Sequence, residues 1–272
     1  LLNPIKKSLL FLNFNWNLIR KIREMNHSES KPQTLYPFLF IFAVSMGFLE
    51  AIVVVYVREL FYAEGFAFPL KPMPDRLIGV EMVRELCTLL MLGTVAWISG
   101  KSFTRRLAVF LFLFGIWDIF YYAALWLFLG WPESLLTWDI LFLIPVTWVG
   151  PVLAPVLCSL TMIYIAFLIE RALLKIKEFR LGTKELSLFF AGAFIIFISF
   201  IFDFSRLIFA GNFLKNFFTL FENSVFLNEM YSFVPERFQW EIFSAGLILI
   251  ISGTLPIIKN HLKDFRPENQ FD

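Results

Sequence analysis

Histidine and cysteine are nearly absent from this chain of 272 residues, which contains two of each. His27 and His261 both fall in polar segments, so no histidine is expected at membrane depth. This argues against haem ligation, against histidine-bound zinc or iron, and against a histidine general base inside a bilayer. Cys87 and Cys158 lie in separate apolar segments without CxxC spacing, and we expect both to be small buried residues.

The sequence also lacks the short motifs that would indicate a known chemistry. It contains no GxSxG, HExxH, P-loop, paired DxxxD or dinucleotide-binding glycine pattern. The net charge is only +2 and no basic patch lies on a soluble face, so a nucleic-acid partner is not expected. No cofactor is expected either. A divalent metal would need carboxylate ligands, and the arginines interleaved with the carboxylates disfavour one.

Apolar residues are abundant instead. They make up 58% of the chain, against about 45–50% in soluble domains, and the mean hydropathy is +0.72. A helix needs about 20 apolar residues to cross a bilayer. Six segments meet this requirement: 36–60, 77–99, 107–130, 140–169, 186–210 and 238–258. The predicted fold is therefore all-α, a polytopic six-helix transmembrane bundle with the lipid bilayer as its main partner.

Lysine and arginine alternate between the connecting segments. Segment 170–185 carries five and segment 100–106 carries three, whereas segment 131–139 carries none. The positive-inside rule then places both termini in the cytoplasm, which requires an even number of spans. We predict a multi-pass protein of a cell membrane, specifically the bacterial inner membrane.

The predicted domain organisation is simple. Residues 1–35 form an N-terminal tail, residues 36–258 the transmembrane domain and residues 259–272 a cytoplasmic tail. We expect Met25 to be the natural start, so that residues 1–24 precede the native chain. The alternative is a basic interfacial helix at residues 1–24.

The segments on the predicted outer side have two features of their own. Trp126, Trp131, Trp138 and Trp240 are expected to form an interfacial aromatic belt. The aromatic-rich loop 211–237 is expected to hold a short helix on the outer membrane surface.

The fourth predicted span is long and rich in proline. Residues 140–169 contain Pro145, Pro151 and Pro155, and proline removes a backbone donor and clashes with the preceding helical turn. We expect a break near 145–151, with a short re-entrant or interfacial piece before it and the true crossing from about 151 to 170. The alternative is one kinked, tilted helix.

Ionisable residues inside the apolar spans indicate the candidate site, because a buried charge in hydrocarbon costs at least about 2.5–3.5 kcal/mol. Estimated depths place these residues in the outer half of the membrane, where they would surround a cavity open to the outside. The candidate catalytic residues are Glu81, Glu85 and Asp118. The candidate ligand-binding residues are Glu50, Arg58, Glu59, Arg84, Tyr121, Tyr122, Asp139, Asp203 and Arg206.

Spacing suggests how some of these residues pair. Glu81, Arg84 and Glu85 share one helical face, with Arg84 as the expected functional centre, and Asp203 can pair with Arg206 one turn away. The tetrapeptide VREL occurs at 57–60 and at 83–86, on either side of a proline-rich loop. A hairpin of the first two spans would then pair Arg58 with Glu81 or Glu85.

Two classes of function remain open, together with a structural alternative. The favoured hypothesis is an outward-facing charged cavity that binds or transports a small polar, amphiphilic or anionic ligand. The second is an intramembrane enzyme that acts on a lipid or isoprenoid by carboxylate acid/base chemistry. The third is a structural subunit of a membrane complex or oligomer, in which buried ion pairs only fix helix register.

Overall fold

The computed structural model describes residues 35–62, 64–176, 179–211, 213 and 224–263. By internal contacts the chain divides into Leu1–Ile41 and Phe42–Asp272. Residues 35–41 are the described part of the first unit and begin the first helix.

The described residues form seven helices and one β hairpin. The elements in order are α1 (Tyr36–Phe61), α2 (Asp75–Ser99), α3 (Phe103–Leu129), β1 (Trp138–Phe142), β2 (Trp148–Pro151), α4 (Leu153–Lys175), α5 (Thr183–Ala210), α6 (Ser224–Ser232) and α7 (Trp240–Lys263). Helices α1, α3, α4, α5 and α7 are long and apolar enough to cross a membrane. The protein is thus a largely helical, multi-pass membrane protein that lies in a lipid bilayer.

The predicted second span differs from these five. Helix α2 covers it and has 25 residues, but it is not among the five apolar candidates. Its first half carries Glu81, Arg84 and Glu85. A sixth crossing therefore stays a prediction.

The first part of the fourth predicted span, residues 140–151, is not helical. Residues 138–151 form an antiparallel hairpin in which Trp138 is opposite Pro151, and helix α4 begins only at Leu153. Pro145 lies in the turn, where no ladder donor is lost, and Pro155 lies in the first turn of α4, where proline is tolerated. One kinked helix over 140–169 is therefore excluded, whereas the predicted all-helical class is confirmed apart from this one hairpin.

Glycines allow close contact where helices cross. A Cβ added to Gly192 on α5 would lie 2.6 Å from the carbonyl oxygen of Gly246 on α7, and one on Gly246 would lie 2.7 Å from that of Gly192. A Cβ on Gly115 of α3 would lie 2.7 Å from the Ser159 carbonyl of α4. Such small residues let backbones pack directly, as is common between membrane helices.

Three connections meet at one end of the bundle, and we call their described residues 62, 64–74, 130–137 and 224–239 the cap. Aromatic contacts join them, with ring centroids 5.9 Å apart for Phe66–Trp131 and 6.4 Å for Phe68–Phe233. The Tyr231 hydroxyl also accepts a hydrogen bond from the Met73 N–H at 3.3 Å.

The third connection contains α6, which confirms a short helix in the loop 211–237. Its predicted position on the membrane surface stays untested, and residues 212 and 214–223 of that loop lie outside the described residues.

The opposite end of the bundle has short turns and basic residues. There the Leu181 N–H donates to the Thr104 hydroxyl at 3.2 Å, and Arg105 pairs with Glu170 at 3.5 Å. This end is called the basic end below. Its lysines and arginines are Lys101, Arg105, Arg106, Arg171, Lys175, Arg180 and Lys184.

Candidate functional site

A cavity of about 550 Å³ lies beneath the cap and collects most of the predicted site residues. Its wall includes Glu50, Arg58, Glu81, Arg84, Glu85, Asp118, Tyr121, Tyr122 and Asp139. Glu59, Asp203 and Arg206 are not part of this wall. Glu59 and Arg206 are exposed, and Asp203 is half-buried without an ion pair to Arg206 among the described residues.

The wall changes character along the helix axis. On α3 it includes Leu107, Phe114, Trp117 and Tyr121. The 14 residues between the first and last of these correspond to about 21 Å of helix. The end near the cap is polar and charged, whereas the end near Leu107 is formed by aliphatic and aromatic side chains of α3, α4 and α5. We call this apolar part the groove.

Arg84 joins two acidic side chains, one from α1 and one from α2. Its guanidinium forms ion pairs with Glu50 and with Glu81, and Glu85 is its neighbour in the chain. The Thr88 hydroxyl donates to Glu50 at 3.0 Å, which continues the predicted helical stripe by one turn. Arg84 thus lies in an ion-pair cluster that adjoins a cavity, as its predicted central role requires.

Arg58 has a different partner from the predicted one. Its Nη2 lies 3.2 Å from Asp139 Oδ1, and the Tyr122 hydroxyl donates to the other oxygen of Asp139 at 3.2 Å. The guanidinium carbon is 3.6 Å from the ring centroid of Trp131 and 4.6 Å from that of Phe66. The predicted pairing of Arg58 with Glu81 or Glu85 is wrong, because the β hairpin brings Asp139 to Arg58.

Glu85 holds the tip of the hairpin. The Leu143 N–H lies 3.0 Å and 2.9 Å from the two carboxylate oxygens of Glu85. Phe142 contacts Trp117 with centroids 6.3 Å apart, and Trp117 lies about 18 Å along α3 from its cap end. The hairpin therefore reaches deep into the bundle, where non-helical backbone is tolerated only if protein or a watery cavity satisfies it.

Asp118 is the most isolated acid of the cavity. It is buried, and the Ser159 hydroxyl of α4 donates to it at 2.7 Å. No lysine or arginine of the described residues forms an ion pair with it.

The wall contains more acids than bases. Five carboxylates (Glu50, Glu81, Glu85, Asp118, Asp139) face three cations (Arg58, Lys71, Arg84), an excess of two. Within the described part of the chain, no three His, Cys, Asp or Glu side chains converge as metal ligands. The cluster is thus built from ion pairs and hydrogen bonds.

Several residues of the site were not identified from sequence. Trp131 was assigned to an aromatic belt, but it is buried and covers Arg58. Phe66 and Ser159 gave no signal, since their roles depend on contacts across the fold. The expectation for the cysteines is wrong for Cys87, which is exposed; Cys158 is half-buried and lines the cavity.

Comparison of the chain with protein-family models, with curated proteins and with solved structures finds no match. The function therefore has to follow from the chemistry of the cavity.

Proposed function

We propose that this protein binds an amphiphilic ligand in the cavity beneath the cap. The single observation that carries the proposal is the division of one cavity into a charged end and an apolar groove. Such a cavity matches a molecule with a polar head group and an apolar chain. Ligand sites of this kind are mostly apolar, with a few placed polar groups that fix orientation.

The helix order supports entry of the ligand from the bilayer. Extensive contacts join α2 with α3, α3 with α4, α4 with α7 and α7 with α5. In the described part of the chain, α5 makes no comparable contact with α2 or α3. The groove has walls from α3 and α5. An apolar chain would thus enter sideways between these two helices.

The same cavity favours binding over transport. A transported polar group would need polar partners along its whole path. The groove offers Leu107, Leu111 and Leu186 toward the basic end, and an unsatisfied polar group in such surroundings is costly.

The membrane orientation is also part of the proposal. We infer that α2 is the sixth crossing, that both termini lie in the cytoplasm of a bacterial cell, and that the cap faces the outside of the inner membrane. The concentration of lysines and arginines at the basic end supports this orientation.

The experiment compares two alanines on α5. Ala193 lines the groove and Ala191 does not, although both are exposed. We expect Ala193→Trp to fill the groove and to abolish binding of a spin-labelled stearate to the purified protein, whereas Ala191→Trp leaves binding unchanged. Equal binding by both variants would contradict the proposal.

An enzyme that acts on a lipid is the second candidate, and one observation favours it. Asp118 is a buried carboxyl group bonded to one hydroxyl and to no cation of the described residues. A group in this environment can exchange a proton with a bound substrate. The test is mass spectrometry of lipids incubated with the wild type and with Asp118→Asn. A lipid product formed only by the wild type would support catalysis, and identical lipid profiles would count against it.

A further inference from the structure

We infer that the head group of the ligand is an anion, a carboxylate or a phosphate, held by Arg58 and Lys71 at the cap end of the cavity. This inference rests on the proposed function and assigns the chemical class of the ligand. It follows from which polar atoms of the wall already have partners and which do not.

Each acid of the wall is already engaged by a donor of the protein. Arg58 and the Tyr122 hydroxyl donate hydrogen bonds to Asp139. The Ser159 hydroxyl donates to Asp118, and the Leu143 N–H donates to Glu85. Glu50 and Glu81 share Arg84. No carboxylate of the wall is thus without a donor of the protein, so none of them requires a cationic head group as its partner.

The buried side-chain atoms of the wall that lack a hydrogen-bond partner among the described residues are all donors, on Arg58, Arg84 and Trp117. Arg58 is 6% exposed, and its Nη1 is buried without a hydrogen-bond partner among the described residues. Trp117 is 3% exposed, and its indole N–H also has no such partner. Lys71 lies over the Tyr62 ring, 5.6 Å from its centroid, and forms no ion pair within the described ranges. Donors without a protein partner, whether buried as on Arg58 and Trp117 or exposed as on Lys71, are complementary to an acceptor-rich ligand group.

The charges are separated by depth, which places the anion near the cap. The layer nearest the cap is Lys71 of the cap with Arg58, which lies about 5 Å from the cap end of α1, and its partner Asp139; together they have a formal excess of one positive charge. By the same rise Glu81 lies about 9 Å down α2, and Glu50, Glu85 and Asp118 lie about 15–17 Å down their helices, so the deeper layer has four acids and Arg84. An anion is attracted to the first layer and repelled by the second, and its chain then extends past Trp117 into the groove.

Arg58 is suited to hold such a group. Its guanidinium carbon contacts the rings of Trp131 and Phe66, which are perpendicular to each other, and its Nη2 is held by Asp139. A planar guanidinium can bind carboxylate or phosphate with its remaining donors, which a lysine ammonium cannot do with the same geometry.

The experiment uses four probes with the same chain length: dodecanoate, dodecyl phosphate, dodecyltrimethylammonium and dodecanol. Binding to the full chain in nanodiscs of zwitterionic lipid is measured as the probe-dependent rise in unfolding temperature. We expect both anions, or one of them, to stabilise the protein more than the cation and the alcohol do. The larger rise in unfolding temperature, with dodecanoate or with dodecyl phosphate, decides between a carboxylate and a phosphate head group. Inorganic phosphate alone is expected not to bind.

Three variants locate the anion. Lys71 is exposed, so Lys71→Ala should fold normally and weaken anion binding by about fivefold, the usual effect of one partly exposed charge pair. Arg76→Ala, outside the wall, should leave binding unchanged. Arg58→Lys keeps a positive charge beside Asp139 but loses the planar guanidinium with its several donors. We expect this variant to bind the anionic probes about tenfold more weakly or worse.

Each alternative result has a distinct meaning. Preferential binding of dodecyltrimethylammonium, or equal effects of Lys71→Ala and Arg76→Ala, would overturn the anionic head group and leave amphiphile binding intact. Inorganic phosphate binding as tightly as dodecyl phosphate would overturn the amphiphilic class. The proposed function itself would be overturned if none of the four probes binds and if Ala193→Trp binds the spin-labelled stearate as well as Ala191→Trp does.

Discussion

Arg84 sits between two helices of the bundle and neutralises acids from both. Its side chain is 19% exposed and pairs with Glu50 of α1 and Glu81 of α2. A single cation that serves two carboxylates controls whether that part of the cavity carries excess negative charge. Its contribution to binding should therefore exceed that of its direct contacts with a ligand.

We predict that Arg84→Ala abolishes binding of dodecanoate to the purified protein while folded protein is still recovered. The reason is that Glu50 and Glu81 would face the cavity without a cation and repel the anion. Arg84→Lys should be intermediate, because one ammonium group cannot reproduce the two-pronged geometry of the guanidinium. Binding is measured by titration, and folded yield by size-exclusion chromatography. Arg76→Ala is the matched control, and wild-type binding by Arg84→Ala would reject the role of this residue.

At the scale of single residues, helical spacing correctly predicted a contact within one helix, but the sequence did not predict a contact between distant segments. The 3.6-residue period correctly put Arg84 beside Glu81, since both lie on one helix. The partner of Arg58 was missed, because Asp139 is 81 residues away in the chain and no local pattern encodes that distance.

At the scale of elements, the β hairpin is the unexpected feature. Two strands inserted among membrane helices leave backbone groups at the tip that no ladder partner reaches. Glu85 supplies the acceptor for one of them, Leu143 N–H. A carboxylate that seemed to be only a candidate catalytic group thus also has a structural use.

We predict that Glu85→Ala lowers the free energy of unfolding by about 1–3 kcal/mol, because it leaves the N–H of the half-buried Leu143 without an acceptor. Glu85→Gln should cost less, since its amide oxygen can still accept. Glu59→Ala, at an exposed position of α1, is the control. The thermal unfolding midpoint in detergent distinguishes them. Equal midpoints for Glu85→Ala and wild type would show that the contact contributes no stability.

The crossing of α5 and α7 allows a second test at this scale. Gly192→Leu or Gly246→Leu should destabilise the protein by about 1–3 kcal/mol, because each new Cβ meets the facing backbone oxygen at less than 3 Å and overpacks the interface. Gly93→Leu on α2 should be nearly neutral, since a Cβ there meets no atom within 4 Å. The measurement is the fraction of each variant that stays folded in detergent as the temperature is raised. A Gly93 variant as unstable as the other two would argue for a general helix effect instead.

At the scale of the whole molecule, the lysine- and arginine-rich basic end and the polar part of the cavity lie at opposite ends of the bundle. The basic end has short turns, and the cap end holds the polar part of the cavity. If the positive-inside rule decides the orientation, the cavity lies in the outer half of the membrane.

The orientation can be tested by labelling. In a background of Cys87→Ser and Cys158→Ser, Ser134→Cys in the cap should react with an impermeant maleimide added to intact cells. Thr183→Cys at the start of α5 should react only after the membrane is opened. Both positions are exposed in the structure, so access depends on the side of the membrane. The reverse pattern would invert the proposed topology, and labelling of both in intact cells would contradict an odd number of crossings between them.

Hydropathy and charge in the sequence were enough to establish a multi-pass membrane protein and the residues at which its charges would be concentrated. They suffice because the hydrocarbon core imposes one local rule, a long apolar helix, and makes every embedded charge conspicuous. The pairs between distant segments, the hairpin and the cavity were decided only by tertiary structure. Proline excludes a regular helix at 145–151 but does not specify what replaces it, and Arg58, Asp139 and Trp131 come together only when three distant segments fold over the same end of the bundle.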